Sequence, residues 1–173
     1  KGQLIGDLSS DFFFFFTIPD YEYKDLRVGT SHGIKIEGEK ITLWKKEKDG
    51  KVKESHFSKD EFSKDSLIVG CQGLHYYLID NLERVREKKS IPIKYFIPGN
   101  LDYYSFTLKL DHEDENYIYL KLSIDSFILR LFTSSLDLKY SKDQRRLVQY
   151  TGLSNITNEK DQIQNVIIDY KYD

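Results

Sequence analysis

Hydrophobic and polar residues alternate along several short stretches of the chain, a pattern typical of strands that bury one face. The clearest stretch runs from Tyr117 to Ile124, where an isoleucine or leucine occupies every second position. Similar stretches are Ile91 to Ile97, Tyr103 to Leu110, Leu136 to Tyr140, Arg146 to Tyr150 and Val166 to Tyr170. Turn-forming segments separate them, so the second half of the chain is predicted to be an antiparallel meander.

An Asp-Gly pair marks a tight hairpin in the first half of the chain. Asp49 and Gly50 separate the run from Ile41 to Trp44 from the run from Val52 to Phe57. Asp-Gly between two such runs is one of the strongest short-range signals for a tight turn. The two runs are therefore predicted to pair antiparallel.

One helix is predicted, from Leu74 to about Lys88. Leu74, Leu78, Leu82 and Val85 recur at helical spacing and form one apolar stripe, which we expect to pack on a sheet. Basic residues collect at the end of this segment, where the helix dipole is negative. Phe127 to Phe132 fits either a strand or a short helix.

Five consecutive phenylalanines, Phe12 to Phe16, follow an opening stretch, Lys1 to Asp11, that is predicted to be an edge strand or an arm. We predict a strand for Phe12 to Thr17. Such a strand carries rings on both faces, so both faces must be covered or one must line a cavity. The alternative is that the rings fill the core, which is the usual role of aromatic strands.

Composition agrees with a sheet protein. The chain contains neither alanine nor methionine but 13 tyrosines and 11 phenylalanines, so residues that favour strands outweigh the best helix formers. We predict an α+β, mainly β fold: a strongly curved antiparallel sheet or open β-barrel with one helix packed on it. No fixed-period repeat or low-complexity linker occurs, so residues 1–173 are predicted to be a single domain.

Charge and hydropathy exclude two classes of partner. There are 26 Lys and Arg against 28 Asp and Glu, a net charge of −2, whereas nucleic-acid binders need clustered positive charge. The longest apolar run, Phe12 to Phe16, is far below the roughly 20 residues that span a bilayer, so no transmembrane segment is predicted. The single cysteine, Cys71, forms no internal disulfide.

The C-terminal half resembles part of a protein family. Ile91 to Asp102, followed by Leu136 to Tyr140 and Arg145 to Ile156, resembles the second half of a family of uncharacterised, exported, β-rich bacterial proteins. The resemblance implies a curved antiparallel sheet, similar to the half-barrels that carry lipids or lipoproteins through the periplasm. It also implies a periplasmic or outer-membrane-associated location, with the cytoplasm as the alternative.

The first functional hypothesis follows from this fold. A curved sheet packed on a helix leaves room for an apolar cleft, and we predict a non-catalytic envelope protein that binds a hydrophobic or lipid-like ligand there. The residues assigned to the ligand are Phe12, Phe14, Phe16, Trp44, Tyr77 and Phe106. Arg145 and Arg146 are assigned to a headgroup or anion, and neither a cofactor nor a metal ion is predicted.

The second hypothesis is a structural or interaction module that binds an envelope protein through a sheet face or edge. Tyrosine suits such a contact because it offers a large area with little side-chain entropy to lose. The tyrosines predicted to be exposed for this contact are Tyr103, Tyr104, Tyr117 and Tyr119.

The third hypothesis is a hydrolase-type enzyme with Cys71 and His75. Cys71 directly precedes the predicted helix, whose dipole favours a thiolate, and His75 is the nearest base in sequence. An inert, buried thiol is the alternative. Separately, His112-Glu113-Asp114-Glu115, the acidic link, concentrates oxygen ligands that suit calcium, although charged tips between strands are ordinarily solvated turns.

Overall fold

The computed structural model describes residues 4–13, 16–63, 66–126, 135–158 and 162–172; for residues 155–157 and 163 it describes the backbone alone. The fold is mainly β, with 57% of the residues in strands, two sheets and one helix. The chain forms two compact units, Lys1–Tyr77 with Lys94–Tyr104, and Leu78–Ile93 with Ser105–Asp173. The single domain over residues 1–173 stays a prediction.

Twelve strands are seen in the described part of the chain, and most of those predicted from the sequence are among them. They are β1 (Gly6–Asp11), β2 (Asp20–Asp25), β3 (Thr30–Glu37), β4 (Lys40–Lys46), β5 (Val52–Ser58), β6 (Leu67–Gly70), β7 (Ser90–Ile97), β8 (Asp102–Glu113), β9 (Tyr117–Ile124), β10 (Leu136–Ser141), β11 (Leu147–Thr157) and β12 (Ile163–Asp169). The helix, α1, spans Gly73–Lys88, and single 3-10 turns occupy Lys59–Glu61 and Pro98–Asn100.

The first sheet is a five-stranded antiparallel meander in the order β1-β2-β3-β4-β5. It confirms the β4–β5 hairpin: Gly50 adopts φ +85°, and the Lys51 N–H donates to the Asp49 side chain at 3.0 Å. One face of the sheet is apolar and buried. Its buried cluster comprises Ile18, Tyr21, Tyr23, Ile34, Ile36, Ile41, Leu43, Ile68 and Phe96.

A ring cluster fills part of this core. The Phe96 side chain has no exposed surface, and its ring centroid lies 5.3 Å from Phe57, 5.8 Å from Phe62 and 5.7 Å from Tyr103. The tilted and edge-to-face geometries are those that the quadrupoles of aromatic rings prefer. Tyr103, expected to be exposed, is instead half-buried among these rings.

The second sheet has seven strands in the order β12-β11-β10-β9-β8-β7-β6. The predicted alternation in β9 is confirmed, because Ile118, Leu120 and Leu122 are buried. β8 runs to Glu113, three residues beyond the predicted end, with a bulge between Leu110 and His112 where it pairs with β9. The bulge changes which residues face each other across the two strands.

The predicted helix is confirmed, one residue longer at its start. Its apolar stripe is buried, with Leu78 and Val85 fully inaccessible and Leu74 and Leu82 at most 7% exposed. Arg86 and Lys88 lie in the last turn, where positive charge is favoured. Within the described residues, no helix is both long and apolar enough to span a membrane.

The strand predicted for Phe12 to Thr17 is wrong where the structure describes it. β1 ends at Asp11, Phe12 is half-buried, and Phe13 and Phe16 are 76% and 79% exposed. The physical reason is that β1 lies at an edge, where consecutive rings lack a cover on both faces. Phe14 and Phe15 lie outside the described residues, as do Phe127 to Phe132.

Both sheets are open in their strand order, because each begins and ends with a different strand. A mainly β architecture with one helix is therefore confirmed. The strongly curved sheet or open β-barrel, with the helix packed on it, stays a prediction.

Candidate functional site

The residues assigned to an apolar ligand are distributed over both units. Phe12 packs against Tyr76, with ring centroids 4.3 Å apart, and Trp44 lies against Gly33 on the neighbouring strand. Tyr77, in α1, and Phe106, in β8, are half-buried, but they belong to different units. Phe16 is 79% exposed, and Phe14 is not described. The ligand site made of these residues stays a prediction.

The two arginines assigned to a headgroup follow the β10–β11 turn. Both are exposed, and Arg145 adopts a left-handed φ of +51°. The Arg146 guanidinium lies 4.8 Å from the centre of the Tyr172 ring, a cation–π distance. Arg146 thus already has an aromatic partner, and the anion site stays a prediction.

Cys71 and His75 lie on either side of the start of α1. Burial raises the pKa of the Cys71 thiol, which keeps it protonated at neutral pH, contrary to the expected effect of the helix dipole. Burial also lowers the pKa of His75, which favours the neutral imidazole. The hydrolase hypothesis stays a prediction.

The raised pKa predicts slow chemistry at Cys71. In the native protein at pH 8 we expect the thiol to react with a disulfide reagent at least tenfold more slowly than in urea. Because the folded pKa lies above the unfolded value, the native rate should keep rising with pH beyond the range where the unfolded rate levels off. Absorbance of the released thiolate measures both rates, and equal rates would contradict the buried thiol.

Two carboxylates of the acidic link form ion pairs or hydrogen bonds with other groups of the protein. Glu113 lies 2.9 Å from Lys142 Nζ and 2.8 Å from Arg86 Nη2, and the hydrogen bond from Lys142 lowers the pKa of Glu113. Asp114 accepts a hydrogen bond from the backbone N–H of Asn116 at 2.9 Å, which lowers its pKa. In the part of the chain that the structure describes, no group of three or more His, Cys, Asp or Glu is placed to hold a metal ion.

A polar surface lies across β8 to β12, and only its tyrosines on β9 were predicted from the sequence as contact residues. Residues directly opposite each other on antiparallel strands share one face of a sheet, so the register defines two rows. The first row is His112, Tyr119, Lys139, Gln149 and Asp169; the second is Lys109, Lys121, Asp137, Thr151 and Ile167. We call these two rows the ladder face.

Aromatic rings and cations hold one another in place on the ladder face. His112 stacks on Tyr119 with centroids 4.1 Å apart and an interplanar angle of 11°. Lys139 Nζ lies 3.9 Å from the centre of the Tyr117 ring and 5.4 Å from that of Tyr119. The Tyr119 hydroxyl donates to Asp114 at 3.0 Å. Each ring therefore has a fixed orientation before any ligand arrives.

Charged side chains of both signs lie on the ladder face and beside it. Lys121 Nζ lies 3.5 Å from Asp111 and 3.8 Å from Asp137, and Gln149 donates to Asp169 at 2.8 Å. The side chains of both ion pairs are about half exposed, so each contributes at most about 1 kcal/mol. On binding, the exposed atoms of these side chains can replace hydrogen bonds to water with hydrogen bonds to a partner.

A shallow depression of about 200 Å³ lies in this face. Its polar and aromatic lining includes Asp111, His112, Tyr119, Lys121, Asp137 and Lys139. Pockets for small ligands usually measure about 300 to 1,000 Å³, so this smaller depression is better suited to surface contact.

Two tyrosines of this site were predicted from the sequence as contact residues. Tyr117 and Tyr119 were predicted to take part in a protein contact, and both lie on β9, half-buried rather than fully exposed. Tyr104 is also half-buried; its hydroxyl accepts a hydrogen bond from Asn100 at 3.2 Å. Lys139, the cation beside Tyr117 and Tyr119, comes from the next strand, β10, and the bulge in β8 determines that His112 lies opposite Tyr119.

The resemblance of the C-terminal half to exported β-rich proteins stays a prediction. No protein-family model, no curated protein and no solved structure matches this chain.

Proposed function

We propose that the protein is a non-catalytic interaction module that binds a protein partner through the ladder face. The observation that supports this proposal is the set of contacts that Tyr119 makes on the ladder face. Its ring stacks on His112 and lies beside the Lys139 ammonium, and its hydroxyl donates a hydrogen bond to Asp114. A ring fixed in this way loses little conformational entropy when it is covered.

A protein is the partner class that suits this chemistry best. Tyrosine is enriched at protein interfaces, and the mixed charges of Lys121, Asp137 and Lys139 suit a surface that also carries both signs. Net charge near zero gives no preference for a polyanion.

The test compares capture by the wild type with capture by the Tyr119→Ala variant. Immobilised wild-type protein is expected to retain a protein from a lysate of its source cells, and Tyr119→Ala should weaken the affinity for that protein at least tenfold. Mass spectrometry identifies the partner and calorimetry gives the affinity. Lys24→Ala, which removes an exposed cation of β2, is the matched control and should bind normally.

Thermal unfolding of each variant separates loss of binding from loss of fold. Equal capture by the wild type and Tyr119→Ala contradicts the proposal, provided that the variant is folded. A retained lipid in place of a protein favours the second candidate function.

The second candidate is an exported envelope protein that contacts an apolar or lipid-like ligand, and one observation favours it. Phe13 and Phe16 are 76% and 79% exposed, and Leu4 and Leu8 are 71% and 45% exposed nearby in sequence. Exposed apolar residues at this density are typical of sites that contact an apolar partner. In this second candidate, the ligand lies between a strongly curved sheet and the helix packed on it, as in the first hypothesis from the sequence.

Native mass spectrometry and vesicle flotation test this second candidate. The wild type should carry a retained lipid or float with phosphatidylglycerol vesicles, and the double variant Phe13→Ser, Phe16→Ser should do neither. Val52→Ser, at an apolar residue of β5 that is 55% exposed, is the control. A wild type that neither retains a lipid nor floats contradicts the proposal.

A further inference from the structure

Among the strands that the structure describes, the two sheets end in four edge strands, and three of these carry features that discourage further pairing. β1 has an aspartate at its second and last positions, β5 carries Lys53 and Glu54, and β6 is only four residues long. Charged side chains and short length are established protections of a sheet edge. The fourth edge, β12, has seven residues, Ile163–Asp169, without lysine or proline and with one charge at its end.

Four exposed hydrophobic side chains lie on β12 and the residues that follow it. Ile167 is 67% exposed, Ile168 is 41% exposed, and Tyr170 and Tyr172 are 39% and 41% exposed. Successive residues of a strand point to opposite faces, so Ile167 and Ile168 leave apolar surface on both sides of the edge. A strand added beside residues 168 to 172 would cover Ile168.

The backbone after β12 can pair with a further strand. Tyr170 continues the pairing of β12 with β11, because its N–H donates to the carbonyl of Val148 at 3.0 Å. Alternate residues of a strand direct their N–H and C=O groups to opposite sides. The N–H and C=O groups of Asp169 and Lys171 therefore face away from β11.

We propose that this segment, from Ile168 to Tyr172, pairs antiparallel with the same segment of a second copy of the chain. The twofold axis passes beside Tyr170, so that Tyr170 faces its own counterpart. Asp169 of each copy then faces Lys171 of the other, and Ile168 of each copy faces Tyr172 of the other. Both cross-strand combinations, opposite charges and aromatic with β-branched, are stabilising.

Charge selects this register over its neighbours. An axis beside Asp169 would place the two aspartates opposite each other, and an axis beside Lys171 would do the same for the two lysines. Like charges directly opposite are destabilising. The dimer joins two seven-stranded sheets edge to edge. It uses Asp169, which lies at the end of the first row of the ladder face, but neither Tyr119 nor its contacts. Tyr119→Ala should therefore leave the dimer intact while it weakens capture of the protein partner, so the two proposals can fail separately.

Charge reversal tests the register. Sedimentation equilibrium of the full chain should detect a wild-type dimer, and Asp169→Lys or Lys171→Asp alone should raise its dissociation constant at least tenfold. The double variant Asp169→Lys, Lys171→Asp restores opposite charges and should return within about threefold of the wild type. A wild type that is monomeric up to about 0.2 mM, or single variants that dimerise normally, would overturn the proposal.

A disulfide test remains informative if the charge variants fail to fold. Residues that face their own counterparts without mutual hydrogen bonds have Cα atoms about 4.5 Å apart, within disulfide reach. Tyr170→Cys should therefore form a cross-linked dimer on mild oxidation, seen on a non-reducing gel. Ile167→Cys, at a position 67% exposed in the wild type, is the matched control and should not cross-link. If Ile167→Cys formed the cross-linked dimer and Tyr170→Cys did not, the proposed register would be wrong.

Discussion

Phe96→Ala is expected to lower the free energy of unfolding by about 4 kcal/mol. The Phe96 ring has no exposed surface and lies at the centre of a cluster with Phe57, Phe62 and Tyr103, so its removal leaves a cavity that three rigid rings cannot fill. Urea unfolding followed by the fluorescence of Trp44, the single tryptophan, measures the change in the unit that contains both residues.

Phe13→Ala is the matched control because it removes the same side chain where it is 76% exposed. We expect its effect to stay within about 0.5 kcal/mol. If the two substitutions lowered the free energy of unfolding by similar amounts, the ring cluster would not be a main source of stability in the first unit.

Elements with local signals were predicted from the sequence. The stripe of Leu74, Leu78, Leu82 and Val85 needs only helical spacing to be recognised, and all four are buried. The β4–β5 hairpin needs only Asp49-Gly50 between two runs of strand-forming residues. In both, the residues that define the element lie within a few positions of one another.

Two other segments show where residue type alone misleads. β2, Asp20–Asp25, was not predicted because charged residues flank its tyrosines, yet Tyr21 and Tyr23 are buried in the core of the first sheet. The phenylalanine run was predicted to be a strand on its apolarity, yet Phe13 and Phe16 are exposed. Burial follows from which surfaces are covered, and edge position decided it here.

The ladder face depends on register, which the sequence does not specify. Tyr119 faces Lys139 because β9 and β10 pair over Leu136 to Ser141, and it faces His112 because a bulge removes one residue from the pairing of β8 with β9. A shift of one residue would turn these side chains to the buried face. The tyrosines could therefore be predicted from the sequence as contact residues, whereas the side chains opposite them could not.

Gly73→Ala is expected to destabilise the protein by about 3 kcal/mol, although alanine is the better helix former. A Cβ atom at Gly73 would lie 1.9 Å from the carbonyl oxygen of Thr17 and 2.3 Å from its carbon. That carbonyl also accepts a hydrogen bond from Gly70 N–H at 2.9 Å, so the Thr17 backbone is restrained. The overlap outweighs the gain of about 1 kcal/mol in helix propensity, because backbone on both sides must move.

Gly99→Ala separates this steric effect from the general effect of replacing glycine. The nearest atoms to a Cβ atom at Gly99 belong to His32, at 3.9 Å, which is ordinary van der Waals contact. Its expected change in the free energy of unfolding is within about 0.5 kcal/mol, measured by urea unfolding alongside Gly73→Ala. If both variants unfold at the wild-type urea concentration, the start of α1 is not packed on Thr17 as closely as the geometry requires.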